Sequence, residues 1–199
     1  MRWSCVFGSL VALCLIVGLD SDVARSASAI DLQRDGRLAM AGRALRCGSV
    51  RNVLDPRLPN LGVAAPGVVV FNPRLLGRHT DTVRLFVFHH ECGHHHVGGS
   101  ETGADCWAVK QGVRGGWLSR QGIGEVCRSF GNAPPTPTHP SGASRCASLR
   151  VCFAGAVAAQ ARQTKMLVAR TTDASREQGP PKLISGPTLV RDGLQRSMQ

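Results

Sequence analysis

The sequence predicts an α+β domain built around two consecutive helices packed antiparallel. Three observations predict it. The apolar run Val68-Val69-Val70-Phe71 has the length and β-branched character of a short buried strand. Behind it, two stretches of helical periodicity meet across Gly98-Gly99, a break that lets the second fold back on the first. Six cysteines follow an N-terminal apolar run, an even number suited to a cross-linked exported chain.

The chain opens with Met1-Arg2 and an apolar run from Val6 to Leu19 that ends at Asp20 and Asp22. Ala27-Ser28-Ala29 then offers a small-x-small cleavage site, so residues 1–29 read as a secretory signal peptide. The run is short for a spanning helix. An inner-membrane anchor through residues 6–19 is the alternative to cleavage, and no later segment is apolar enough to span. The mature domain is expected over residues 30–170, with a periplasmic or secreted location. That length is sufficient for one core.

Within the domain, Leu38, Ala41 and Leu45 have helical spacing and predict a helix over residues 32–46. Arg51 to Pro66, rich in Pro and Gly, reads as a loop. Gly67 to Phe71 reads as the buried strand, closed by an Asn72-Pro73 turn. Thr80 or Asp81 caps a helix whose stripe is Val83, Phe86, Val87, His90, His94 and Val97. After Gly98-Gly99, Ser100 caps a helix from Glu101 to Gln111, with Gly112 as its stop. Ser119 to Phe130 is a third helix, with Ile123, Val126, Cys127 and Phe130 inward and Gly131 as its stop. Ala133 to Gly142 is a Pro-rich extended loop. Ser141 caps a last helix through Arg145, Leu149, Cys152 and Phe153. From Thr171 to Gln199 no periodicity remains, and the tail is expected to be disordered.

The chemistry concentrates in His89-His90-Glu91-Cys92-Gly93-His94-His95-His96, five histidines within eight residues. It contains H-E-x-x-H from His90 to His94. Residues four apart stack on one helix face, so His90 and His94 can offer two imidazoles to one metal ion. Glu91 lies about 100° round the helix, beside that ion, where it can take a proton from an activated water. Two plainer readings exist: a chance match, or a His-rich tract that scavenges metal. The stripe argues against both, because His90 and His94 continue the apolar face. His89 and His96 read as surface or supporting residues, and His95 is left open.

On the next helix Glu101 and Asp105 are also four apart. The glycine turn would bring Glu101 to the metal as third ligand. Asp105 would then reach the other ring nitrogen of a ligand histidine and fix its tautomer. The alternative for both is an exposed first turn, where acids suit the helix dipole. His139 and Arg145 could face the metal and stabilise an oxyanion, or could be loop structure alone.

His90-Glu91-x-x-His94 followed by Glu101-x-x-Ala104-Asp105 resembles the gluzincin arrangement. Asp105-Cys106-Trp107-Ala108 is similar to a stretch of bacterial neutral zinc metallopeptidases. The likeness covers roughly residues 66 to 112 and is specific only at the motif. It implies a small zincin-like core, Zn2+ held by His90, His94 and Glu101, Glu91 as catalytic base, and a peptide or protein substrate. It further implies that the strand before the motif borders the cleft and pairs with extended substrate; a plain core strand is the equal alternative. The interval from His94 to Glu101 is shorter than most gluzincins have. The metzincin pattern fails, with Val97 in place of its glycine and Ser100 in place of its third histidine.

Of eight cysteines, Cys5 and Cys14 fall in the signal segment. The other six allow fifteen pairings. Cys127 with Cys146 or Cys152 is favoured across the Pro-rich loop, and Cys92 with Cys106 could staple the two site helices. The net charge of +11, almost all arginine, favours contact with anionic surfaces. The arginines are scattered and form no run with interleaved aromatics, so no specific nucleic-acid partner is expected. The sequence therefore predicts an exported zinc-dependent hydrolase acting on peptides. The alternative is a periplasmic metal-binding or chaperone-like protein without catalysis.

Overall fold

The computed structural model describes residues 30–177. The expected signal segment, its alternative as an anchor, and residues 178–199 of the expected tail lie outside the described residues. The fold is α+β. Strands β1 (Asp31–Leu32), β2 (Leu38–Met40) and β3 (Arg43–Leu45) form an antiparallel sheet in that order. Strands β4 (Arg51–Leu54), β5 (Gly62–Ala65) and β6 (Val68–Phe71) form a second sheet in the order β4-β6-β5.

The first sheet replaces the helix expected over residues 32–46. Leu38 and Leu45 are cross-strand partners, so their apparent helical spacing is that of a hairpin folded on itself. Ala41 and Gly42 turn the chain with φ of 51° and 68°, the left-handed pair of a two-residue hairpin. Leu38 and Met40 alternate with Ala39 and are fully buried. The stretch expected as a loop over residues 51–66 holds β4 and β5. Asn52 hides the alternation of β4, because a polar residue occupies a core position. Its amide donates to Gly36 O at 3.0 Å and ties the two sheets together.

β6 forms as expected and lies in the centre of its sheet, parallel to β4 and antiparallel to β5. Asn72 then caps α1 (Pro73–Leu76), its Oδ1 accepting from the Arg74 and Leu75 amides. The long site helix α2 (Asp81–Val97) is capped by Thr80 and buried on two sides. Leu85, Phe88 and Cys92 join Leu38, Val69 and Phe71 in one core cluster; Val83 and Phe86 join Val109, Val126 and Leu149 in another. Burial from two sides explains why a single stripe describes α2 incompletely. Val97, at the end of that stripe, is 40% exposed.

Gly98 closes α2 with φ +71°, a conformation costly for any residue with a side chain. Ser100 caps α3 (Glu101–Arg114), which packs back along α2. The two helices approach closely at Gly93, where a Cβ would stand 3.1 Å from Ala104 Cα. α3 does not stop at Gly112 as expected; it ends at Gly115. Gly112 is instead a packing position, since a Cβ there would sit 2.5 Å from Leu118 Cβ. α4 (Arg120–Phe130) and α5 (Gly142–Glu177) follow, with Ser119 and Gly131 bounding α4 as expected. Ser141 Oγ accepts from the Ser144 amide at the start of α5.

Three disulfides cross-link the domain: Cys47–Cys92, Cys106–Cys152 and Cys127–Cys146. The last is one of the two pairings expected across the Pro-rich loop. The expected Cys92–Cys106 staple does not form. Cys92 joins the apolar cluster beside Cys47, and Cys106 faces α5.

The chain divides into two units, one through Val157 and one from Ala158 on. The first holds both sheets, α1 to α4 and the opening turns of α5. Of the second, the described residues are the rest of α5, with side chains exposed from Ala158 to Thr171. α5 continues to Glu177, past the point where the sequence pattern ends. A helix already nucleated propagates one hydrogen bond per residue, so a run without apolar periodicity can still be helical. No helix among the described residues is long and apolar enough to cross a membrane.

Candidate metal centre

α2 and α3 bring together His90, His94 and Glu101. His90 Nε2 and His94 Nε2 stand 3.2 Å apart. Glu101 Oε2 lies 3.2 Å from His90 Nε2, and Oε1 lies 3.5 Å from His94 Nε2. One ligand atom from each of the three falls within 4.8 Å of the others, so the group can hold a metal ion.

The tautomers follow from the outer ring nitrogens. His94 Nδ1 is 2.9 Å from Gly98 O, which can only accept, so Nδ1 carries hydrogen and Nε2 a lone pair. His90 Nδ1 is 2.8 Å from Asp105 Oδ1. This contact lies off the line of the ring N–H, so it acts by charge more than as an aligned hydrogen bond. The carboxylate still favours hydrogen on Nδ1. Two imidazole lone pairs and a carboxylate therefore converge on one point. Glu101 Oε2 is buried there without a hydrogen-bond partner. A cation answers all three acceptors at once, and the two-nitrogen, one-oxygen donor set suits zinc.

The charges respond to this crowding. Burial alone pulls His90 down, but the Asp105 and Glu101 carboxylates outweigh it and raise its pKa to about 9. Metal binding at His90 would therefore compete with its protonation. Burial pushes Glu101 up, and the contacts with His90, His139 and Arg145 bring it below the usual value. Asp105 is likewise lowered: burial opposes, while Arg145 and His90 prevail.

Glu91 is not among the three convergent donors. Its buried carboxyl borders a cleft of about 780 Å³, lined by β5 on one side and by Gly98-Gly99 and Pro137–His139 on the other. Burial raises its pKa against the pull of His90 and His94. The bare backbone of Gly62 makes room for it, because a Cβ there would stand 2.8 Å from Glu91 Cγ.

Asp105 is 1% exposed and sits under His90 as the sequence suggests. Arg145 grips it with Nε on Oδ2 at 2.8 Å and Nη2 on Oδ1 at 2.6 Å. The Arg145 guanidinium lies 4.3 Å over the Phe130 ring and 3.8 Å from Glu101 Oε2. Arg145 is thus a partner of Asp105, a role the sequence does not indicate. His139 comes to the site from the Pro-rich loop, its Nε2 3.3 Å from Glu101 Oε1 and its side chain 52% exposed.

The remaining histidines of the motif have other partners. His89, expected as a surface or supporting residue, is half-buried: it stacks on Trp117, faces Trp107, and burial lowers its pKa to about 4. The sequence gives no signal for the two tryptophans that enclose it. His96 stacks on Trp107, and His95 Nε2 lies 3.3 Å from Val68 O. His96 also lies near the Cys47 and Cys92 sulfurs. Those sulfurs are joined in a disulfide and offer no thiolate to a metal.

Of the two readings for the strand before the motif, β6 is the core strand and offers no free edge to the cleft. β6 is paired on both sides, and the outer strand facing the cleft is β5. The signal that could have found β5 is Pro66-Gly67, a two-residue turn with Gly67 at φ +72° between two apolar runs. No protein-family model, curated protein or solved structure matches the chain.

Proposed function

We propose that this chain is an exported zinc-dependent hydrolase with a zincin-like core of gluzincin type, and that it cleaves peptide bonds. The observation that carries the reading is the convergence of His90, His94 and Glu101 beside a buried Glu91 in an open cleft. Three protein ligands leave a position free, as catalytic rather than structural zinc sites do. Zinc, when bound, supplies a Lewis acid that polarises the scissile carbonyl and makes water a nucleophile near neutral pH.

The chain's own residues do the rest. Glu91 is held by burial at a pKa above the ordinary carboxylate, which suits a base that must also return its proton. It takes a proton from the attacking water and delivers it to the leaving amine. Asp105 orients His90, and Arg145 holds Asp105. His139, half exposed in the same cleft, can donate to the oxygen that gains charge during attack. β5 offers a strand edge along which an extended peptide can lie. A second cavity of about 360 Å³ opens beside Glu91, with an apolar wall of Leu61, Leu75, Phe86, Val87 and Phe130 and polar groups from Ser129, His139 and Arg145. The three disulfides fit an exported protein.

Glu91→Gln tests this reading against the binding-only alternative. The variant is expected to retain one zinc per chain and to lose hydrolysis of a casein-type substrate by at least about a hundredfold. Equal hydrolysis by variant and wild type, or none by either, would favour the metal-binding protein.

A further inference from the structure

Each disulfide has one half-cystine immediately after a residue of the site. Cys92 follows Glu91, Cys106 follows Asp105, and Cys146 follows Arg145. Their partners lie in the turn between β3 and β4, on α5 and on α4, so Cys106–Cys152 joins the helix of Asp105 to the helix of Arg145. They differ in access. Cys47 and Cys92 are 2% and 3% exposed and lie inside the apolar core. Cys106–Cys152 instead forms part of the wall of a surface groove of about 580 Å³. Ser100, Thr102 and Gly103 line one side of that groove, and Ala147, Ser148 and Val151 the other. Val151 is 74% exposed. The groove is uncharged, and Cys106 and Cys152 are partly exposed, as are Cys127 and Cys146, whereas Cys47 and Cys92 are enclosed.

We propose that Cys106–Cys152 is a thiol–disulfide exchange site, at which a dithiol reductant opens the bond and weakens the hold on the metal. This rests on the metal-site reading above. A thiolate of the dithiol attacks one sulfur, forms a mixed disulfide and expels the other cysteine as a thiolate. The second thiol of the dithiol then displaces the protein sulfur. The dithiol ends as a disulfide, and Cys106 and Cys152 end reduced with two electrons and two protons. Opening this bond removes the covalent link between α3, which carries Glu101 and Asp105, and α5, which carries Arg145. Arg145 is then still anchored by Cys127–Cys146 and Phe130, but α3 is free to shift against it, so Asp105 orients His90 less firmly. Outright loss of such outer support weakens metal affinity by about 10- to 100-fold, and loosening it weakens affinity less.

The test uses the full oxidised chain loaded with zinc and titrated with dithiothreitol. Free thiols are blocked at each step and located by peptide mass spectrometry. After the reductant is removed, zinc affinity is measured by competition with a chromophoric chelator. Cys106 and Cys152 are expected to be blocked before the other four cysteines, with zinc affinity falling severalfold, up to about tenfold, at that stage. The double variant Cys106→Ser/Cys152→Ser is expected to show the weaker affinity without reductant, at unchanged far-UV circular dichroism. Prior opening of either other disulfide, or wild-type affinity in the double variant, would overturn the proposal. An oxidised wild type that binds no zinc would sink the metal-site reading itself, and the proposal with it.

Discussion

At the residue scale the centre depends on a chain of contacts from surface to metal position: Phe130 under Arg145, Arg145 on Asp105, Asp105 on His90. Two of its members are charged and nearly enclosed, with side chains 14% and 1% exposed. Arg145→Ala removes two charge-assisted hydrogen bonds from the buried Asp105 carboxylate and leaves His90 as its remaining cationic neighbour. It is expected to cost about 2 kcal/mol of stability, the scale of a hydrogen bond to a charged group. Urea unfolding of the metal-free protein measures this. Arg145→Lys is expected to recover only part of the loss, because an ammonium cannot reproduce the two parallel bonds of the guanidinium. Equal midpoints for Arg145→Ala and wild type would remove the pair from the stability of the site. His90, Glu91 and His94 were legible in the sequence because helical spacing alone puts the imidazoles on one face. Glu101 and Asp105 were legible because Gly98-Gly99 leaves little freedom in how α3 returns. The bond between Arg145 and Asp105 spans 40 residues, and no local pattern encodes a contact of that separation.

At the element scale the site needs three pieces in register: α2, α3 and the outer strand β5. The first two were legible from caps and periodicity. β5 was not, because four residues, Gly-Val-Ala-Ala, bury too little to show alternation. The hairpin of β2 and β3 mimics helical spacing for a related reason. In a tight hairpin, cross-strand partners fall at separations that a helical template also accepts. β5 supplies the backbone that confines Glu91, which makes Gly62 a positioning residue. Gly62→Ala adds a methyl group 2.8 Å from Glu91 Cγ and 3.0 Å from the Phe71 ring. The displaced carboxyl is expected to lower kcat on a peptide substrate about tenfold or more, since small misplacements of a proton-transfer group are costly. Zinc content is expected to stay at one per chain. Loss of zinc from this variant, or unchanged kcat, would show that β5 does not set the Glu91 position.

At the scale of the whole molecule, the α+β class and the succession of α2, α3, α4 and α5 could be read from the sequence. The small sheets and two of the three cross-links could not, because strand pairing and cysteine pairing are both non-local. The disulfides join distant parts of a chain whose first unit is small, and the longest loops closed between their cysteines run over 45 and 46 positions. Cross-links over such loops restrict the unfolded chain most. The excess of positive charge lies elsewhere, since the lining of the main cleft contains no arginine or lysine. The titratable groups of that lining are instead His90, Glu91, His94, His95, Glu101 and His139. The central claim is that this arrangement ends in one metal position. Anomalous diffraction at the zinc edge, from crystals of the full chain grown with zinc, tests it most directly. The expected result is a single ion bound by His90 Nε2, His94 Nε2 and a Glu101 oxygen, each at about 2.0–2.2 Å. Zinc held instead by His95, His96 or His139 without Glu101, or no ordered zinc at His90 and His94, would contradict it.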